Sequence, residues 1–187
     1  HYFNFKKKLF QDGVDYWLKT IPKNEELMIL GRSKKGIEKI KPIFIVGVPR
    51  CGSTLIEKVI ASGKKTIPIG EETASIAACV ADKLLNNKSL ILDIESLKEN
   101  IIKKFDDKNL INENKDYIFT DKTLDNFFFI GLIKEIFPQA KIINCKRKVT
   151  SSIMSIIKNN LGDVSWAHYP ENIFTFFDTY FKKIESF

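Results

Sequence analysis

The sequence predicts an α/β protein, three layers of α/β/α with a mostly parallel central sheet. Three observations carry this. Short apolar runs rich in β-branched residues alternate with longer segments of helical periodicity. One of them, Ile43–Val46, enters a Gly/Pro loop and leaves it through a Ser-Thr pair that opens a helical pattern. The charged residues best suited to chemistry, Arg50, Glu71, Glu72, Lys122 and Arg147, each follow directly on a strand-like run. Ligands of open α/β sheets sit beyond the carboxyl ends of the strands, so these residues are expected to converge.

A length of 187 residues suits one domain with a sizeable core. The expected layout is an N-terminal helix and basic loop over 1–41, a core over 42–158, and a C-terminal loop and helix over 159–187. Phe5, Leu9, Phe10, Trp17 and Leu18 among lysines predict an amphipathic helix over 2–19, ended by Pro22, with a basic loop from Gly31 to Gly36. The central strand is followed by a helix over Ser53–Ala61, with Gly63 as its expected C-cap. Ile67-Pro68-Ile69 reads as a short strand that delivers Gly70-Glu71-Glu72-Thr73 to a helix over Ala74–Leu85. Residues 86–116 are polar, and a helix carried by Ile94, Leu97, Ile101 and Phe105 reads as a peripheral insertion without chemistry. Tyr117–Thr120 is the third strand, and Leu124–Phe137, apolar almost all round, is a sandwiched helix stopped by Pro138. Lys141–Cys145 is the fourth strand, followed by Lys146-Arg147-Lys148 and a helix to about Lys158. A loop over Gly162–Pro170 and an aromatic helix from Glu171 complete the chain.

The formal net charge of +7 is mostly lysine in a Lys-, Asn- and Ile-rich chain. It reads as background composition rather than as a nucleic-acid footprint, and no nucleic-acid partner is expected. Arginine is more informative. Of Arg32, Arg50 and Arg147, two fall in the motifs, where the planar fork of donors suits an anion. Three separated cysteines, Cys51, Cys79 and Cys145, imply no disulfide framework, and no metal-ligand spacing is present. With His1 and His168 the only histidines, a histidine-based triad is excluded as the expected chemistry. The longest apolar run, Phe127–Ile133, is too short to span a bilayer, and no secretory signal is visible, so a reduced cytoplasmic setting is expected.

The spacing Gly47-x-x-x-x-Gly52-Ser53-Thr54 is that of a P-loop, with Ser53 where a nucleotide triphosphatase carries its lysine. Turn N–H groups backed by a helix dipole make an anion site. The stretch therefore fits a phosphate-like group better than the γ-phosphate of ATP.

From Pro42 to Lys158 the motifs resemble those of the sulfotransferase superfamily that uses 3'-phosphoadenosine 5'-phosphosulfate (PAPS). Val48-Pro49-Arg50-Cys51-Gly52-Ser53-Thr54 is similar to its 5'-phosphosulfate loop, usually Pro-Arg-Ser-Gly-Thr-Thr. Gly70-Glu71-Glu72-Thr73 resembles the Gly-Glu-Glu-Thr segment of tyrosylprotein sulfotransferases, and Asp121-Lys122 their Asn-Lys-Asp turn. Phe137-Pro138-Gln139-Ala140-Lys141-Ile142 resembles the Phe-Pro-Asn-Ala-Lys run before the 3'-phosphate strand, and Arg147 and Ser155 match its Arg and Ser. Bacterial sulfotransferases with tetratricopeptide repeats are equally similar over the phosphate motifs.

The resemblance implies a P-loop-like sulfotransferase fold and transfer of a sulfuryl group from PAPS to an acceptor hydroxyl, leaving PAP, without a metal. It implies that Pro49, Arg50, Cys51, Gly52, Ser53 and Thr54 hold the 5'-phosphosulfate, and that Arg147 and Ser155 hold the 3'-phosphate. Glu72 is implied as general base, with Glu71 its rival, and Arg50 and Lys122 as stabilisers of the leaving oxygen. Ala74 stands where tyrosylprotein sulfotransferases have an arginine for acidic peptides, so the acceptor class stays open among sugar, small alcohol, lipid and peptide. The superfamily's C-terminal segment contributes to both sites, and a chain stopping at Phe187 is expected to lack part of it. Two alternatives remain: an atypical P-loop kinase or NTPase with Asp121 as a Walker-B-like residue, and a non-catalytic binding domain on the same fold.

Overall fold

The computed structural model describes residues 29–30, 37–63, 67–87, 92–111, 117–159, 161 and 164–187. The expected helix over 2–19 and the basic loop over 31–36 lie outside them. The chain divides into two compact units, one of Met28–Gly47 with Cys51–Lys146, the other containing Val48–Arg50 and Arg147–Phe187.

The first unit is α/β, as the alternation of strand and helix patterns requires. Its strands are β1 (Ile29–Leu30), β2 (Ile43–Gly47), β3 (Leu92–Asp93), β4 (Thr120–Asp121) and β5 (Lys141–Cys145). The main sheet has the order β4-β2-β5 and is parallel throughout, with Ile43 opposite both Thr120 and Lys141. Phe44, Ile45 and Val46 of β2 are wholly buried, which explains why this strand reads as an unbroken apolar run rather than an alternating one. A second, two-stranded parallel pair joins β1 to β3, a feature the sequence patterns did not suggest.

Helices α1 (Ser53–Ala61), α2 (Ser75–Asn87), α3 (Ile94–Asp106) and α4 (Ile130–Ile136) lie in this unit. The C-cap of α1 is Ser62, not Gly63, whose φ is not in the left-handed region. The expected strand at Ile67–Ile69 is reduced to one parallel bridge between Ile69 and Thr120. Pro68 has no N–H to continue a ladder, although its carbonyl accepts the Thr120 N–H at 3.1 Å. The third strand also shifts: Tyr117 makes a single bridge to Ile40, and the ladder runs over Thr120–Asp121.

Leu124–Phe129 forms a 3-10 helix before α4 instead of one continuous α-helix. Asn and three successive phenylalanines are weak α-formers, and the tighter turn, closed from the Asn126 N–H to the Thr123 carbonyl, buries Phe127 and Asn126. The α3 segment is not peripheral. Ile94, Leu97, Ile101 and Phe105, spaced as one helical stripe, are buried. The Phe105 ring lies 4.9 Å from Phe119 and 6.1 Å from Phe137, which is 6.3 Å from Phe44 of the central strand. Burying a phenylalanine contributes roughly 1.5–3 kcal/mol, so α3 belongs to the core. Asp93 caps it by accepting the Glu95 N–H at 3.1 Å.

In the second unit, α5 spans Val149–Asn159 and α6 spans Pro170–Glu185, with proline in its first turn. The segment expected as a loop contains a 3-10 turn at Ser165–His168. It places Trp166 flat on Phe176, with centroids 3.7 Å apart and planes 11° apart. Ile173, Phe176, Phe177 and Tyr180 bury one face of α6 beside it. Among the described residues no helix is long and apolar enough to cross a membrane.

Candidate functional site

In the first unit, Cys51 and Gly52 lead into the N-terminus of α1. Gly52 is the N-cap, with φ 98°, and no side chain caps the helix. A Cβ there would meet nothing within 4 Å, so glycine serves the left-handed backbone rather than close packing. Of the loop residues expected to hold a phosphosulfate, Cys51 and Ser53 are buried, while Gly52 and Thr54 are exposed. Gly47, by contrast, is needed for space: a Cβ would lie 2.9 Å from both the Cys145 carbonyl oxygen and Cys51 Sγ. Burial pushes the Cys145 thiol up to about 11, helped by the charge of Cys51 and its hydrogen bond. All three cysteines are buried and free, so Cys51, Cys79 and Cys145 serve the core as thiols.

The buried face of α1 is not the apolar one. Ser53, Glu57 and Ala61, spaced four apart, point inward, whereas Leu55 and Val59 are 67% and 61% exposed. Glu57 is fully buried. Its Oε1 accepts the Thr120 hydroxyl at 2.8 Å and the Glu71 backbone N–H at 3.2 Å.

Glu71 and Glu72 occupy the turn before α2. Gly70 must be glycine, because a Cβ would run into the Thr120 carbonyl oxygen. Glu71 and Ala74 have φ of 51° and 50°, a left-handed backbone that costs a residue with a Cβ about 1–2 kcal/mol. The surroundings hold the turn. Lys122 N–H donates to the Glu71 carbonyl at 2.6 Å, and Ala74 N–H donates to Thr123 Oγ1 at 2.9 Å. Asp121, wholly buried, accepts from the Thr73 hydroxyl at 2.6 Å and the Thr123 N–H at 2.9 Å. Burial raises its carboxyl above the ordinary range, against the lowering pull of these bonds and of Asn126.

The Lys122 ammonium, nine-tenths buried, meets Glu72 Oε1 at 2.8 Å. Glu72 itself is 66% exposed, so its carboxylate is anchored at one oxygen and open to an approaching group. Asp125, half-buried in the 3-10 turn, has a carboxyl pushed up to about 6 by burial and by the negative charge of Glu72. Lys122 and Glu72 are therefore brought together, while Glu71 turns its backbone inward and leaves its side chain exposed.

The second unit collects the expected 3'-phosphate residues. Arg50, exposed and left-handed at φ 68°, donates Nε–H to Ser155 Oγ at 3.0 Å. Arg147 donates from Nη1 to the Arg50 carbonyl at 3.0 Å. Ser155 stands on α5, and Asn159 one turn later donates to its carbonyl at 2.7 Å. Two guanidinium groups and a hydroxyl thus share one surface, an arrangement suited to a phosphate dianion. Pro49, by contrast, supplies no N–H.

Sequence reasoning missed Glu57, Thr120, Thr123, Asp125 and Asn159. For Glu57 a signal existed, an acid four residues from Ser53 and four from Ala61, on the helix face that carries the small residues. Among the described residues no group of three or more His, Cys, Asp or Glu could hold a metal ion.

The sequence model of the sulfotransferase family matches residues 42–187. The chain belongs to the sulfotransferase family, and its α/β fold with a parallel sheet is consistent with that family's fold. It is also similar to an uncharacterised protein of Aquifex aeolicus (strain VF5), 30% identical over an alignment of 144 residues that covers 68% of this chain and 18% of the relative. The chain thus spans less than a fifth of the length of that curated relative.

Proposed function

We propose that this chain transfers a sulfuryl group from PAPS to an acceptor hydroxyl. The acceptor oxygen attacks sulfur in line, the bond from sulfur to the bridging oxygen of the 5'-phosphate breaks, and PAP leaves. Glu72 takes the hydroxyl proton, and Arg50 and Lys122 stabilise the charge on the departing oxygen. Loop N–H groups and Arg50 hold the phosphosulfate, within the loop of Pro49, Arg50, Cys51, Gly52, Ser53 and Thr54, and Arg147 and Ser155 hold the 3'-phosphate. The observation that supports the reading best is the joining of Arg50, Arg147 and Ser155, residues 97 and 105 positions apart, by hydrogen bonds of 3.0 Å.

The kinase alternative needs Asp121 at a metal, and that residue is buried with its oxygens engaged by Thr73 and Thr123. Single-domain organisation and a cytoplasmic, reduced setting form part of the same proposal, as does an acceptor drawn from sugars, small alcohols, lipids or peptides.

Thermal unfolding with nucleotides tests it. A ligand at about 100 times its dissociation constant stabilises by roughly 2.7 kcal/mol. Stabilisation by 3',5'-ADP and not by Mg-ATP is expected, and the reverse would sink the proposal. Indifference to both would favour a non-catalytic binding domain. Replacing Arg147 by Ala should weaken 3',5'-ADP far more than 5'-AMP.

A further inference from the structure

We propose that Glu57 is a positioning residue, which fixes the Glu71–Glu72 turn from the helix that begins at the anion loop. The inference rests on the sulfotransferase reading for its purpose, but on the geometry of one unit for its content. Glu57 is 1% exposed. Among the described residues no ion pair reaches it, and the hydrogen bonds it accepts come from Thr120 and Glu71. A carboxylate buried without a cation is a poor way to stabilise a helix-sheet contact, where an apolar residue of similar size would serve better. Its position therefore points to its acceptor oxygen.

That oxygen does two things at once. It accepts the Glu71 N–H and so holds a residue whose φ of 51° is disfavoured by its Cβ. It also orients the Thr120 hydroxyl, which lies beside the Gly70 N–H at 3.4 Å. The Glu71 carbonyl, pinned by this arrangement, accepts the Lys122 N–H at 2.6 Å, and the Lys122 ammonium donates to Glu72 Oε1. The chain of contacts runs from α1 through Glu57, Glu71 and Lys122 to the carboxylate assigned as base. Glu57 touches no reacting atom in this scheme. It sets where Glu72 stands.

Amide hydrogen exchange by NMR on the whole chain tests this without an acceptor. In Glu57→Ala, exchange at the Glu71 and Lys122 amides should rise roughly tenfold or more, the ordinary worth of a hydrogen bond to a charged acceptor. The Ala74 and Thr123 amides, held by Thr123 Oγ1 and Asp121, should keep their rates. A merely structural role would speed all four together. Glu57→Gln retains an acceptor oxygen and should restore protection to within about threefold. If the alanine variant does not fold, Glu57→Asp, with its carboxylate drawn back by one methylene, should give the same selective loss. Equal rates at Glu71 in the Gln and Asp variants, or uniform acceleration, would overturn the proposal. Failure of the unchanged protein to bind 3',5'-ADP would count against the sulfotransferase reading alone and leave the exchange result standing.

Discussion

Arg147 donates a guanidinium N–H to the backbone carbonyl of Arg50 at 3.0 Å, so one arginine of the proposed anion site holds the main chain of the other. The supported residue is strained, with φ 68°. Such backbone strain costs about 1–2 kcal/mol in a residue with a Cβ and persists where the neighbours over-determine it.

Arg50→Gly should therefore leave the Tm unchanged or raise it, because glycine accepts the left-handed backbone freely. Affinity for 3',5'-ADP should fall at the same time by tenfold or more, as a charge-assisted contact is lost. Thermal unfolding and calorimetric titration on the same preparation would show both, and a lower Tm with intact affinity would contradict the assigned role.

The two neighbouring acids should separate cleanly. Glu72→Gln is expected to lower sulfate transfer by 10²–10⁴-fold while the fold survives, since Glu72 is two-thirds exposed and its pair with Lys122 contributes under about 1 kcal/mol. Glu71→Gln should cost far less, because its structural contacts are made by its backbone. Transfer rates for both variants with PAPS and a set of hydroxyl acceptors would decide between them. A larger loss in the Glu71 variant would reverse the assignment.

Asp125 should leave a signature in acid stability. Its folded value of about 6 exceeds the ordinary 3.8, so the native state binds the proton more tightly than the unfolded chain. Its stabilising contribution is complete below pH 3.8, fades as pH rises toward 6, and is gone above that. Asp125→Asn should remove this decline, making the variant more stable than the parent at pH 7 by on the order of 2 kcal/mol relative to their difference at pH 4. Urea unfolding of both proteins at pH 4, 5, 6 and 7 measures the slope, and parallel curves would contradict the shift.

Two glycines should respond with opposite sign. Gly131 lies exposed in α4 with nothing within 4 Å of an added Cβ, and Gly131→Ala should stabilise by about 0.5–1 kcal/mol. Gly70→Ala drives a Cβ into the Thr120 carbonyl, and a loss above roughly 3 kcal/mol is expected. Denaturant midpoints of the two variants provide the comparison.

The parts of the molecule legible in the sequence are those where local pattern and tertiary demand agree. Ile43–Gly47 is buried on both faces and reads as an apolar run; Ser53–Ala61 and Val149–Asn159 follow loops with clear starting signals. Arg50 and Arg147 stood out because arginine is scarce in this chain, and Ser155 through its spacing from Arg147 in the family resemblance. What escaped was set by long-range contacts. Glu57 faces inward because Thr120 and Glu71 need an acceptor, which no hydropathy pattern on α1 records. The Leu124–Phe129 turn tightens to bury Phe127, and Pro68 limits its segment to one bridge, both outcomes of packing beyond the reach of helical or strand periodicity. Phe105 likewise reaches the core through Phe119 and Phe137, partners distant in sequence.

The placement of β2 between β4 and β5 has a consequence for synthesis. Its partners in the main sheet, Thr120–Asp121 and Lys141–Cys145, both leave the ribosome long after it does. Three wholly apolar side chains, Phe44, Ile45 and Val46, must wait through that interval with their backbone donors and acceptors unpaired within the sheet. Distant parallel pairings of this kind form slowly and leave a nascent chain open to association with its neighbours. The strand that leads into the Gly47–Thr54 turn is thus also where a growing chain most needs shelter.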